Sequence, residues 1–175
     1  MEADYRVYRH NPPHLLLPGA SYMVTAATYQ KERLFETHEL LRFLRDAILI
    51  DFGRHGWQMR AYVVLPNHYH LLAIAPDENA ALSEVIRSIH SYTAHRIAKD
   101  HRIRGSRVWW NYWDNCITHE SSFFARINYI HFNPVRHGYV DNPAKWEFSS
   151  FREMYEADPA EAERMKLAIR LIEWR

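Results

Sequence analysis

The chain has 175 residues, 47% of them hydrophobic and 25% charged, with a formal net charge of +1. That balance suits a single soluble globular domain with a real core, and it lacks the strong basic bias of many nucleic-acid proteins. No apolar run reaches the roughly 20 residues of a membrane span, the polar stretch Met1–His10 does not read as a secretory signal, and the single Cys116 excludes a disulfide framework and a cysteine-based zinc site. A cytoplasmic location is therefore expected.

The first twenty residues contain Pro12, Pro13, Pro18 and Gly19 and read as an irregular arm, 1–20. Tyr22 to Thr28 is rich in β-branched and small residues and predicts a strand. Thr37 can cap a helix over roughly 38–53, where Leu40, Leu41, Leu44, Ile48 and Leu49 recur at helical spacing. Trp57 to Leu65 and His68 to Ala75 predict two strands, broken at Pro66-Asn67 and hence an antiparallel hairpin. A second helix from Asn79 or Ser83 to about Lys99 would bury Leu82, Val85, Ile86, Ile89, Tyr92 and Ile97. The aromatic run Val108 to Thr118 predicts a fourth strand. A third helix runs from Glu120 to about His131 and ends near Asn133-Pro134. A last helix over 160–173 would form the tail.

Strand, helix, strand, strand, helix, strand is the order of the ferredoxin-like, RRM-like α+β fold. It predicts one antiparallel sheet with helices on one face. The expected organisation is an arm (1–20), a domain (21–152) and a C-terminal helical tail (153–175).

Two features bear on chemistry. In His68-Tyr69-His70, residues two apart on a strand share a face, so the two imidazoles project together and Tyr69 points into the core. Paired imidazoles are half of a transition-metal site, although a strand also carries such pairs incidentally. Tyr129 and Asn133 lie four apart on the third helix and share a face. The phenol can attack phosphorus and the amide oxygen can join the histidines. Tyrosine ionises only near about pH 10, so it needs activation or a substrate polarised by a metal. Taken without the histidine pair, Tyr129 reads as one of 11 tyrosines, a ring packed on a helix.

Together the segments resemble a known family. Val64-Leu65-Pro66-Asn67-His68-Tyr69-His70-Leu71-Leu72 closely resembles the "(V)MPNHxHLL" signature of the REP-associated tyrosine transposases, a branch of the single-tyrosine HUH, IS200-like transposases. Tyr129 to Val140 resembles that family's "YIxxNPVxxGLV" helix. Trp113-Asp114 with Ile117 resembles its "YDHVI" segment, Trp146-Ser149-Ser150 its "WxxSS" stretch, and Tyr22-Met23-Val24-Thr25 with Leu34-Phe35 its opening "YFVTxxTxxRxxLF" strand. The likeness spans roughly residues 20 to 151, with the motifs in order. Tyr69, His137 and Tyr139 depart from it, standing where smaller or aliphatic residues are usual.

The resemblance implies a sequence-specific single-strand DNA endonuclease and strand transferase. Tyr129 would be the nucleophile, His68 and His70 catalytic metal ligands, and Asn133 the third ligand. The implied cofactor is Mg2+ or Mn2+; two imidazoles and an amide suit manganese better. The implied substrate is a hairpin of repetitive extragenic palindromes (REP), cut through a covalent 5′-phosphotyrosine. A monomer is expected, with a dimer that exchanges the tyrosine helix as the alternative.

Phosphate contacts position a strand and base contacts select it. Candidates for DNA binding are Arg87, Arg96, Lys99, Arg102, Arg104 and Arg107, with Arg6 and Arg9 in the arm. Of the neighbours Trp109 and Trp110, at most one is core, and Trp110 is the candidate to stack on a base. Two competing readings stay open at this point. One is a non-catalytic single-strand binding module on the same sheet fold. The other is a metal-dependent hydrolase that activates water.

Overall fold

Strand β1 (Ser21–Thr28) is hydrogen-bonded along both edges, to β3 (His68–Ile74) and to β4 (Trp109–Ile117). Strand β2 (Gln58–Leu65) pairs with β3, and the four form one antiparallel sheet in the order β2-β3-β1-β4. The computed structural model describes residues 17–78, 81–100 and 107–157. Its helices are α1 (His38–Arg54), α2 (Leu82–Asp100), α3 (Glu120–Arg136) and a short α4 (Phe151–Ala157). This is the ferredoxin-like α+β order expected.

Alternation along the strands sorts side chains to two faces. Tyr22, Val24 and Ala26 of β1, Tyr62 and Val64 of β2, and Tyr69, Leu71 and Ala73 of β3 pack against α1 and α2 through Leu44, Ile48, Phe52, Val85, Ile86 and Ile89. On the opposite face Met23, Val63, Leu65 and Leu72 meet Ile127 and Ile130 of α3. The histidines of β3 share that second face with Leu72, so the fold presents them to α3.

Local chemistry explains the element ends. Thr37 caps α1, its hydroxyl accepting from the Leu40 amide at 3.2 Å. The hairpin turn at Pro66-Asn67 is clasped from outside, by the Phe35 amide on the Pro66 carbonyl and the Thr28 amide on the Asn67 carbonyl, each at 2.9 Å. Residues 146–150 run beside β2. There the Val64 amide donates to the Phe148 carbonyl at 2.8 Å, and the Trp146 indole donates to the Val64 carbonyl at 3.0 Å. This segment covers an edge that would otherwise expose unpaired backbone. His131 of α3 bonds the Ser150 hydroxyl at 2.9 Å, tying the helix to the same clasp.

Two expectations need correction. The third helix does not stop near Asn133-Pro134 but continues to Arg136. Pro134 forfeits only the bond to the Ile130 carbonyl. Beyond it the His137 amide bonds the Asn133 carbonyl at 3.1 Å, and Tyr139 bonds Pro134 at 2.9 Å. Gly138, at φ 72°, supplies the left-handed stop. Tyr92 is not on the buried side of α2 but 61% exposed, and Thr93 is buried instead. Thr93 satisfies its hydroxyl by donating to the Ile89 carbonyl and accepting from the Trp109 indole, which lets a polar residue take the inward place. The helix expected over 160–173 lies outside the described residues, as does the arm up to residue 16.

Candidate active site

The site forms where β3 begins and α3 ends. The rings of His68 and His70 stand with centroids 5.1 Å apart, and the ring of Tyr129 meets His70 edge-on at 5.1 Å. One turn on from Tyr129, the buried Asn133 places Oδ1 3.1 Å from Nε2 of His68. Strand and helix periodicity thus bring together all four residues that the sequence singled out.

Each imidazole is oriented from behind. His70 Nδ1 lies 2.8 Å from the hydroxyl of Thr25, its partner on β1. His68 Nδ1 lies 2.7 Å from Oδ1 of Asn67. The Asn67 amide is fixed in that sense because its Nδ2 donates to the Lys31 carbonyl at 3.0 Å. Asn67 Oδ1 can only accept, so His68 carries its proton on Nδ1 and turns the Nε2 lone pair toward Asn133.

Electrostatics favour neutral rings. Burial pushes the His70 imidazole down to about 3, aided by the nearby His68, His137 and Arg136. Burial also lowers His68; its contact with Asn133 opposes this, while His137 and Lys31 reinforce it. Neutral imidazole is the form that ligates metal.

The donor set fits a divalent cation. In neutral His68 the Nε2 lone pair faces the Asn133 side-chain amide, and with the amide oxygen turned toward it the two acceptors can share a cation. Two donors each about 2.1 Å from one ion at a right angle stand about 3 Å apart, which is the separation of Nε2 and Oδ1. Among the described residues no three His, Cys, Asp or Glu side chains form a ready cage, so the amide of Asn133 is the third donor available.

Other residues join the site that the sequence reading did not single out. The Arg136 guanidinium lies 5.1 Å from the Tyr129 ring centroid, over its face. Its spacing of seven from Tyr129 is the signal that would have found it. His137, the C-cap of α3, packs its ring on His68 at 4.9 Å. Asn67 and Thr25 orient the histidines as described.

The candidate DNA contacts occupy two places. Arg87, Arg96 and Lys99 sit on α2, across the sheet from the histidines, and Arg96 pairs with Glu39 at 2.6 Å. Trp109 is core and Trp110 is 42% exposed. Trp110 stacks on Tyr29 with ring centroids 5.4 Å apart, and the Arg107 guanidinium lies 4.7 Å from its centroid. These three cluster near the end of β1, beside the start of β3. Arg102, Arg104, Arg6 and Arg9 lie outside the described residues. No helix among the described residues is long and apolar enough to cross a membrane.

Comparison with known proteins bears on this arrangement. An Escherichia coli REP-associated tyrosine transposase is 28% identical over 111 residues, 63% of this chain and 64% of that protein. A Haemophilus influenzae protein assigned to the same class is 25% identical over 149 residues, covering 80% of this chain and 84% of its own. The solved structure of a REP-associated tyrosine transposase bound to a REP hairpin superposes with a TM-score of 0.65 at 24% identity, covering 87% of this chain and 84% of that one. It shares the fold. The family model described as "Transposase IS200 like" matches residues 18–133, which take in all four strands, the histidine pair, Tyr129 and Asn133. With two thirds of its length inside that model, the chain belongs to the IS200-like transposase family.

Proposed function

We propose that this transposase nicks and rejoins single-stranded DNA at REP-type hairpins, with Tyr129 as the nucleophile. The observation that carries the reading is the convergence of a tyrosine ring, two neutral imidazoles and an amide oxygen at one point of the fold. Two of its relatives are described as REP-associated tyrosine transposases, and one solved relative holds a REP hairpin. Hairpin DNA is therefore the substrate class to test first.

His68, His70 and Asn133 would hold Mg2+ or Mn2+, which would supply Lewis acidity at the scissile phosphate. Tyr129 Oη attacks phosphorus. The new Oη–P bond forms as the bond from phosphorus to the 3′-oxygen breaks. The phenolic proton is lost to solvent, and the leaving oxygen takes up a proton as a free 3′-hydroxyl. The 5′ end is then held on Tyr129 as a phosphodiester, and attack by the same or another 3′-hydroxyl reverses the step and rejoins DNA. Phosphoryl transfer depends mainly on positioning and charge. Thr25 and Asn67 position the imidazoles, and Arg136 keeps a positive charge beside the attacking phenol.

The domain of this activity is 21–152, with the tail 153–175 as an accessory, and the monomer is the acting form. Incubation with labelled single-stranded REP hairpins and Mn2+, followed by a denaturing gel, tests the reading. Protein-bound DNA that disappears in Tyr129→Phe supports it. Cleavage that survives in Tyr129→Phe would point to a hydrolase using water. Binding without any adduct would make the chain a single-strand binding module.

A further inference from the structure

The turn that follows β1 carries an unusual backbone. Gln30 and Lys31 have φ of 54° and 57°, and they are the only non-glycine residues among those described in the left-handed region. Glycine takes that conformation freely, whereas a side chain resists it. Two such residues in succession persist only where surrounding structure holds them.

Here the restraints come from three directions. The Tyr29 amide donates to the Val108 carbonyl at 2.8 Å. The Thr28 hydroxyl donates to the Glu32 carbonyl at 2.6 Å. The Asn67 Nδ2 donates to the Lys31 carbonyl at 3.0 Å, while Oδ1 of the same side chain takes the proton of His68 Nδ1 at 2.7 Å. One amide therefore fixes both the imidazole of the candidate active site and the backbone from which the Lys31 side chain departs. That side chain is exposed, and among the described residues no carboxylate pairs with it.

We infer that the Gln30–Lys31 turn is a phosphate clamp: the strained backbone aims the Lys31 ammonium at a non-bridging oxygen of a substrate-strand phosphate next to the one attacked. This rests on the phosphoryl-transfer reading of the same site. An ammonium is a compact donor suited to a single phosphate oxygen. A strained, over-restrained turn beside a reaction centre is what an aimed contact requires. A lysine on an ordinary loop would sample many positions.

The test uses the full chain carrying Tyr129→Phe, so that binding is read without cleavage. A fluorescent REP-type hairpin with a single-stranded arm is titrated over a series of salt concentrations. Removing one phosphate contact to a single strand should flatten the plot of log K against log salt by about 0.7. Lys31→Gly should show that loss, and it suits the left-handed turn, so a folding defect is not expected; an unchanged thermal melt checks this. Lys31→Arg keeps the charge and should keep the slope. Arg54→Gln, at the end of α1 on the other face of the sheet, should leave the slope alone. An unaltered slope in Lys31→Gly, while wild-type protein still forms the Tyr129 adduct, overturns the clamp and leaves the transfer reading intact. Wild-type protein that neither binds the strand nor forms an adduct overturns the transfer reading and the clamp with it.

Discussion

His68 and Asn133 meet across the two halves of the site, Nε2 to Oδ1 at 3.1 Å, one residue from a strand and the other from the last turns of a helix. Asn67 holds the His68 proton on the far nitrogen, so in this orientation of the Asn133 amide Nε2 and Oδ1 meet as two acceptors. Such a pair gains from a shared cation. Asn133→Ala should therefore weaken Mn2+ binding by about tenfold or more, the scale on which metal sites respond to lost support. Asn133→Asp should tighten it by adding charge. Titration followed by the Mn2+ electron paramagnetic resonance signal reads both. His68→Ala and His70→Ala should lose binding and cleavage together. Undiminished Mn2+ affinity in Asn133→Ala would remove the amide from the ligand set.

Arg136 lies over the Tyr129 ring. In the proposed transfer, a fixed positive charge there would cost no reorganisation as the phenol becomes anionic and the phosphate gathers charge. Arg136→Gln should lower the rate of adduct formation by about 100-fold, the scale of losing one preorganised electrostatic partner. Hairpin affinity should change little. Arg136→Lys should recover part of the rate. Single-turnover kinetics on a denaturing gel separates these effects, and an equal loss in binding and rate would reassign Arg136 to DNA docking.

Two histidines away from the site add to the share that His68 and His70 have in how the fold responds to acid. Burial pushes His90 down to about 3 and His131 down to about 4. In the unfolded chain each titrates near about 6.5. Below that value the unfolded state binds more protons, so stability is full at neutral pH. It falls as pH drops from about 6.5 toward about 4, by up to about 1.4 kcal/mol per pH unit for each histidine. Urea midpoints measured at about pH 7 and about pH 5 should show the loss. His131→Gln, whose amide can still meet Ser150, should flatten the dependence. An unchanged slope in that variant would mean that His131 is not held neutral.

Much of this site was legible because periodicity alone assembles it. His68 and His70 share a strand face, Tyr129 and Asn133 share a helix face, and the βαββαβ order sets those faces against each other. What was not legible depends on tertiary restraint. Nothing in Tyr29-Gln30-Lys31 announces a left-handed turn, since neither central residue is glycine, and the hydrogen bonds that enforce it come from Asn67 in the β2–β3 turn, from Thr28 and from Val108. Pro134 reads locally as a stop. Yet α3 passes it because a glycine four residues later ends the helix properly. Charge marks the basic residues of α2 as candidate phosphate contacts, but only the sheet shows that they stand on the face opposite the histidines. Tyr92 and Thr93 exchanged places because a hydroxyl with two partners buries more cheaply than its polarity suggests.

Tyr69 supports the histidine-bearing strand from behind. Its ring is fully buried on the face opposite the two histidines, and its hydroxyl meets Nε2 of His90 at 3.0 Å. His90 in turn stacks on Trp109, with centroids 4.4 Å apart and planes within 6°. His90 is held neutral by burial, and its Nε2 and the tyrosine hydroxyl share one hydrogen bond whose direction follows the imidazole tautomer. Tyr69→Phe keeps the ring and its packing but leaves that nitrogen without its partner. The expected cost is about 1–3 kcal/mol of unfolding free energy, the penalty for orphaning a buried polar group. Mn2+ affinity of the folded variant should stay close to wild type, because the lost hydroxyl points away from the site. Urea denaturation measures the first and metal titration the second. A folded Tyr69→Phe protein that binds Mn2+ as poorly as His68→Ala would mean that the buried hydroxyl sets the alignment of the histidines through the strand itself.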